Sequence, residues 1–466
     1  MADVLIEHAT VVTLDDRRRI ITDGAVAIQD DSIIAVGKTH ELKRDQRARI
    51  TIDGRGQTVL PGLIDCHARE AQAIMRGAAE DTTFPDPWLT QYVWPLEGHL
   101  TPEIARASAR LCMLEMIKSG TTTFADPLIH LKWDFDSIAQ SVWDSGLRAV
   151  LCKSVNDTPT YAALERKDMM IGTGMEEDKD AAIAEAMRMH HKWHGKDNRI
   201  KIWFGPTTPG GCTQSTLKEV TQLARENGMG VTTNFAEEEE DVEYVKKAIG
   251  TGMFDYARAC GLVGENILLV HSIGLSNEEI DYLAATKTRV CTTPISEGRF
   301  GPVTRAVEML EKGVCVSLGC DGGIASNTYD MFREMRGMAA LNKVDRLPTA
   351  MPCETCLEIA TRNGAKALGW EGIVGSIEVG KKADLIVANL DSAHVTPNIN
   401  VLASLVHSVH GGDVTYVIAN GKMIMSEGEV KTMDEERVLK DARKCAEELI
   451  SAAGLSGKVG PKWPVA

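Results

Sequence analysis

The chain has 466 residues, with 66 acidic against 51 basic side chains, a formal net charge of −15 and an isoelectric point near 5.4. That balance excludes nucleic acid and anionic membrane surfaces as natural partners. A hydrophobic content of 44% suits one large buried core with a smaller unit beside it. No apolar run approaches the ~18–20 residues that span a bilayer. Met1 to His8 has neither the basic head nor the long apolar core of a secretory signal. Eleven cysteines in such a chain read as reduced thiols, so the expectation is a cytoplasmic protein with a small-molecule substrate.

The first 57 residues carry short strand-like runs at 11–14, 25–28 and 32–37, bounded by Asp and Gly, which predict antiparallel sheet. Runs at 383–387 and 414–422 repeat that texture. Two or three strands make a marginal sheet, so the two ends are expected to form one small β-sandwich domain from 1–57 and 377–432.

Between them, a strand ending at His67 is followed by runs at 121–126, 149–152, 200–204, 230–234, 267–271, 289–292 and 314–318. Helical periods separate them. Eight such units predict an α/β protein with a (β/α)8 TIM-like barrel over 58–376 and its site at the C-terminal ends of the strands. A doubly wound sheet is the structural rival. Residues 433–466 read as a closing amphipathic helix and a tail.

The organising stretch is Leu60-Pro61-Gly62-Leu63-Ile64-Asp65-Cys66-His67-Ala68-Arg69, a buried strand that ends in a histidine and an arginine. Further landmarks are Met75-Arg76-Gly77, Ser119-Gly120-Thr121-Thr122-Thr123-Phe124-Ala125-Asp126, Val270-His271, Leu318-Gly319-Cys320-Asp321-Gly322-Gly323 and Gly380-Lys381-Lys382-Ala383-Asp384. Together they resemble the amidohydrolase superfamily, in the chlorohydrolase/aminohydrolase branch with triazine hydrolases and S-adenosylhomocysteine and guanine deaminases. The resemblance implies the barrel, the split sandwich and a homo-oligomer.

In mononuclear members of that family, two first-strand histidines, a fifth-strand histidine and an eighth-strand aspartate hold a metal. Carried over residue by residue, His67 and Asp321 keep ligand positions, while Arg69 and Asn234 stand in the other two. Glu237, three residues after Asn234, and His271 match the family's proton-handling positions. Thr207 replaces a histidine that many relatives carry after Gly-Pro. No two of the twelve histidines are separated by a single residue, and none lies between His194 and His271, so a register shift recovers neither ligand.

A guanidinium at a ligand position opposes a divalent ion: unit charges ~4 Å apart interact by about 4 kcal/mol at an effective dielectric near 20. The sequence therefore predicts a metal-free site with no cofactor. Zinc on His67, His271 and Asp321 is the alternative. Catalysis is assigned to Glu237, His271, Asp321 and Arg69, and substrate binding to His67, Asn234, Trp88, Thr207 and Glu297. Trp88 and Phe300 would hold a flat ring; Ser296 and Glu297 would read its polar edge. For Arg69 the competing structural role is a salt bridge filling the vacated metal space.

Without a metal, water loses its activator. The expected reaction is isomerisation, elimination, cyclisation or decarboxylation of a small cyclic nitrogen-containing substrate by acid–base catalysis. The alternatives are metal-dependent hydrolysis of a C–N or C–Cl bond in a heterocycle, or an inactive binding protein. Two other motifs fail. Pro352-Cys353-Glu354-Thr355-Cys356 lacks the His-x-Glu partner of cytidine-type deaminases, and Gly375 to Lys381 lacks the hydroxyl residue of a phosphate loop.

Overall fold

The computed structural model describes residues 1–45, 47–157, 177–237, 239–344 and 346–464. Eight strands form one all-parallel sheet in sequential order. They are Leu63–Asp65, Thr121–Ile129, Arg148–Ser154, Ile200–Gly205, Val231–Phe235, Ile267–His271, Arg289–Thr292 and Cys315–Leu318. Below they are called the first to the eighth barrel strands. Their residues are almost wholly buried, which is why they read as continuous apolar runs and not as alternating ones.

The seam between the eighth and first strands closes at the mouth. Cys66 N–H donates to Leu318 O at 2.8 Å and Asp321 N–H to His67 O at 2.7 Å. A two-residue parallel ladder then pairs Ala68 with Asp321 and Arg69 with Gly322. Gly319 makes this approach possible, since a Cβ there would stand 2.8 Å from the His67 Cβ and 3.0 Å from the Cys291 sulfur. The closure sets His67, Arg69 and Asp321 side by side, although they are far apart in the chain.

The second sheet has nine strands drawn from both ends of the chain. Ala2–Val12 pairs antiparallel with Ile20–Gln29, and Gln57–Pro61 pairs antiparallel with Leu385–Asn389. The expectation of purely antiparallel sheet in the first 57 residues is corrected here. Ala2–Val12 runs parallel to both Ala48–Asp53 and Gln57–Pro61, because the helix Thr39–Asp45 returns the chain in the same direction. Near the C-terminus, Glu435–Ala452 is an amphipathic helix that buries Val438, Ala442, Cys445 and Leu449. Its first turn is tied by Glu435 to Lys118 at the end of the helix Pro102–Lys118. No helix among the described residues is long and apolar enough to cross a membrane.

One buried ion pair links barrel and terminal sheet. Arg148, at the start of the third barrel strand, donates from Nε and Nη2 to the two carboxylate oxygens of Asp384, each at 3.1 Å. Both side chains are 1% exposed. Asn420 closes the network, its N–H donating to Asp384 at 2.7 Å. Removing one partner of such a pair strands a buried charge. Arg148→Met is expected to lower unfolding stability by about 3–5 kcal/mol in urea denaturation. A loss below about 1 kcal/mol, the range of an exposed pair, would contradict this role.

Candidate functional site at the barrel mouth

Three side chains converge where the strands end. His67 follows the first strand, His271 is the last residue of the sixth, and Asp321 begins the closing ladder. One ligand atom from each lies within 4.8 Å of the others, and all three residues are buried. His67 Nε2 is 3.5 Å from Asp321 Oδ1, and the two imidazole rings meet edge to face at 5.7 Å. Among the described residues, neither His67 nitrogen nor His271 Nε2 has a hydrogen-bond partner. A buried imidazole nitrogen with no partner costs free energy and is rare in a finished interior. His271 and Asp321 also both hold φ at 66°, a left-handed conformation that non-glycine residues adopt at a cost.

Arg69 lies beside this group. Its Nε is 3.3 Å from Asp321 Oδ1. Burial works against the guanidinium's charge and is outweighed by Asp321, then Glu97, Glu237 and Asp126, so its pKa is raised. Burial would likewise raise Asp321, but Arg69 and His67 hold its carboxyl well below the usual carboxylate range. Its second oxygen accepts from Ser296 Oγ at 2.7 Å.

His271 stands between two acids. Nε2 is 3.5 Å from Glu237, and Nδ1 is 3.4 Å from Glu297. Burial would lower the imidazole, but Glu237 above all, with Glu297 and Asp321, brings it up to about 9. His67 has no such surplus of acids; burial pushes it down to about 4 and keeps it neutral. Glu237 accepts from Asn234 Nδ2 at 3.1 Å, so the asparagine at the fifth strand's end orients the carboxylate.

Other predicted site residues occupy less direct positions. Glu297 is held by its own loop: Thr292 and Thr304 hydroxyls and the Thr293 and Thr304 N–H groups donate to it. It backs His271 and leaves little capacity for reading a substrate's edge. Ser296 bonds Asp321. Thr207 accepts from Asn156 Nδ2 at 2.9 Å, and its carbonyl accepts from the Asn234 N–H at 3.0 Å. Trp88 is buried behind Phe84 and Phe300, with ring centroids at 5.4 and 5.2 Å. The latter two line the cavity instead. That cavity has a volume of about 450 Å³, with Glu237, His271, Glu297 and Ser296 on its polar side and Phe84, Val242, Ile273 and Phe300 on its apolar side.

A set of acids behind Arg69 is not visible in the sequence. Glu70 and Asp126 are buried together, the Glu70 N–H donating to Asp126 at 2.9 Å. Burial first, then Asp126, pushes the Glu70 carboxyl well up. Glu97 is raised by burial and accepts from Gln72 Nε2 at 2.7 Å. The only available signal was Asp126 in the second strand; its partners lie in the short helices Glu70–Met75 and Trp94–Gly98, distant in the chain.

This geometry fits a metal ion. Two imidazoles and a carboxylate match the three protein ligands of a catalytic zinc site, with ligand atoms within 4.8 Å of one another and imidazole Nε2 atoms that make no hydrogen bond. Three carboxylates, Asp321, Glu237 and Glu297, stand against the one guanidinium of Arg69. The local surplus is negative, as a divalent cation requires.

The comparisons with known proteins agree. The sequence pattern described as "Amidohydrolase family" matches residues 58–424. The 5'-deoxyadenosine deaminase of Methanosarcina barkeri is 36% identical over 454 residues, covering 97% of this chain and 99% of that protein. A 5-methylthioadenosine/S-adenosylhomocysteine deaminase of Pelotomaculum thermopropionicum is 35% identical, covering 97% of this chain and all of its own. The crystal structure of an adenosine deaminase from Xanthomonas campestris with bound zinc superposes with a TM-score of 0.89 at 28% identity, covering 97% of this chain and 99% of that one.

Two expectations from the sequence are thereby corrected. The metal-independent isomerisation, elimination, cyclisation or decarboxylation gives way, because relatives over nearly the full length are named deaminases. The absence of a cofactor gives way too, because a structural neighbour holds zinc and this chain presents a three-donor group for one. The physical reason is that Arg69 does not stand alone: it is matched to Asp321 within an excess of carboxylates. The chain is an enzyme of the hydrolase type, and it belongs to the amidohydrolase family.

Proposed function

We propose that this protein is a metal-dependent hydrolase that removes the exocyclic amine of an adenosine-type nucleoside, releasing ammonia and leaving the oxo base. The observation that carries the reading is the convergence of His67, His271 and Asp321, with Nε2 atoms that make no hydrogen bond, beside Glu237. The names of relatives at 35–36% identity supply the substrate class.

His67, His271 and Asp321 would hold the ion. When bound, a divalent metal lowers the pKa of water toward 7 and so supplies a nucleophile at neutral pH. Glu237 is the proton carrier. It faces the cavity, takes a proton from the attacking water and returns it to the ring nitrogen or the departing amine. Asn234 fixes the carboxylate for this transfer through its 3.1 Å hydrogen bond. Glu297 orients His271 from behind, much as carboxylates orient metal-binding histidines. Phe84 and Phe300 give the purine a flat apolar wall. Arg69 holds Asp321 ionised and sets its direction.

Treatment with a chelator is expected to abolish ammonia release from 5'-deoxyadenosine, and zinc to restore it; full activity in metal-free protein would overturn the reading. Glu237→Gln is expected to lower kcat by roughly 10²–10⁴-fold while zinc content stays unchanged. A loss of less than about tenfold would remove Glu237 from proton transfer. Arg69 opposes the ion, so Arg69→Gln is expected to tighten zinc at least tenfold in a competition titration, a conservative share of the about 4 kcal/mol between unit charges at such range. Unchanged or weaker zinc binding would show that the guanidinium does not compete.

A further inference from the structure

A second group of ligand atoms, sharing no residue with the barrel mouth, lies in the chain between two strands of the terminal sheet. Between the strands Leu385–Asn389 and Val414–Ala419 the chain makes an excursion that includes the helix Val401–His407. His394 near its start and His410 and Asp413 near its end come together, with one ligand atom of each within 4.8 Å of the others. His394 Nε2 is 2.9 Å from Asp413 Oδ2, and His410 Nδ1 is 3.4 Å from the same oxygen. Two ligands bound at about 2.0–2.1 Å in a tetrahedral site stand roughly 3.3 Å apart. The second separation is near that value, and the first, a hydrogen bond, lengthens by a few tenths of an ångström when an ion takes the proton's place.

The carboxylate is fixed in advance. Asp413 is buried, and its Oδ2 accepts the His410 backbone N–H at 3.0 Å. The same turn is pinned to the barrel by the Gly411 N–H, which donates to Asp330 at 2.9 Å. The two imidazoles are exposed at 41% and 53% and lie stacked, with centroids 4.6 Å apart and planes within 13°. Coordination through both rings requires one to turn out of the stack, and the solvent around His410 leaves room for that rotation.

From this geometry we infer that His394, His410 and Asp413 form a second metal site, for a divalent transition cation such as zinc, nickel or cobalt. Two imidazole nitrogens and a single carboxylate select those ions over magnesium and calcium, which demand a shell of oxygens. Water completes the coordination on the exposed side. The ion clips the two ends of the excursion together, so its effect is on stability and on the order of this segment, not on the barrel chemistry. The inference is independent of the proposed deamination, since it shares no residue with the barrel site.

The test is a count of bound zinc in the full-length protein. Wild type and His410→Ala, both stripped with chelator and dialysed, are titrated calorimetrically with zinc, and their melting is followed with and without the ion. Whatever the barrel binds is common to both, so the difference belongs to this site. The variant is expected to bind one zinc fewer, to melt like wild type without metal, and to lose part of the zinc-induced rise in Tm. Magnesium in place of zinc should give no difference between the two. Equal zinc stoichiometry in wild type and variant would overturn the assignment. His410→Gln, which keeps a polar side chain of similar reach, should lose the same equivalent; retention there would also count against imidazole ligation.

Discussion

The contact on which the site depends is the one between Asp321 and Arg69. A carboxylate buried at the barrel mouth would ordinarily be pushed toward neutrality. The guanidinium 3.3 Å away, helped by His67, keeps it ionised and aimed into the group of donors. Barrel closure brings the two residues side by side, because the ladder that pairs Ala68 with Asp321 and Arg69 with Gly322 is part of the seam. Fold and charge arrangement are therefore the same construction.

The electrostatic balance follows from that pair. Arg69 answers Asp321 but not Glu237 and Glu297, which flank His271 from both sides. The excess falls on His271, whose pKa climbs to about 9. A divalent ion on the imidazoles and Asp321 would meet the same surplus without requiring a buried imidazolium. Arg69 would then set the ion's affinity by competing for Asp321. A fixed cation at a former ligand position and a working metal site are compatible when neighbouring acids outnumber the cation.

Much of this architecture was legible in the sequence, for physical reasons that differ from element to element. The barrel strands are buried on both faces, so Ile267–His271 and Arg148–Ser154 appear as unbroken apolar runs. His67, Asn234, Glu237, His271 and Asp321 sit at or just past strand ends, and the family resemblance, carried over residue by residue, brings them into one space. The parallel strands of the terminal sheet were less legible, because a short helix that reverses the return direction looks like any polar turn. Glu70, Glu97 and Asp126 were illegible as a group: nothing local marks an acid that will be buried against another from a distant element. Trp88 and Glu297 show the same limit in reverse. Their residue types suit a ligand, yet packing behind Phe84 and saturation by Thr292, Thr293 and Thr304 decide where they act. The metal expectation failed because a one-to-one charge argument about Arg69 omitted acids that only the folded chain brings near.

The most direct measurement is anomalous diffraction at the zinc absorption edge from crystals of the protein grown with zinc. The account predicts a peak bonded to His67 Nε2, His271 Nε2 and an oxygen of Asp321, with the Arg69 guanidinium still beside that aspartate. An empty barrel mouth, with His271 and Glu237 closed into an undisturbed ion pair, would contradict it.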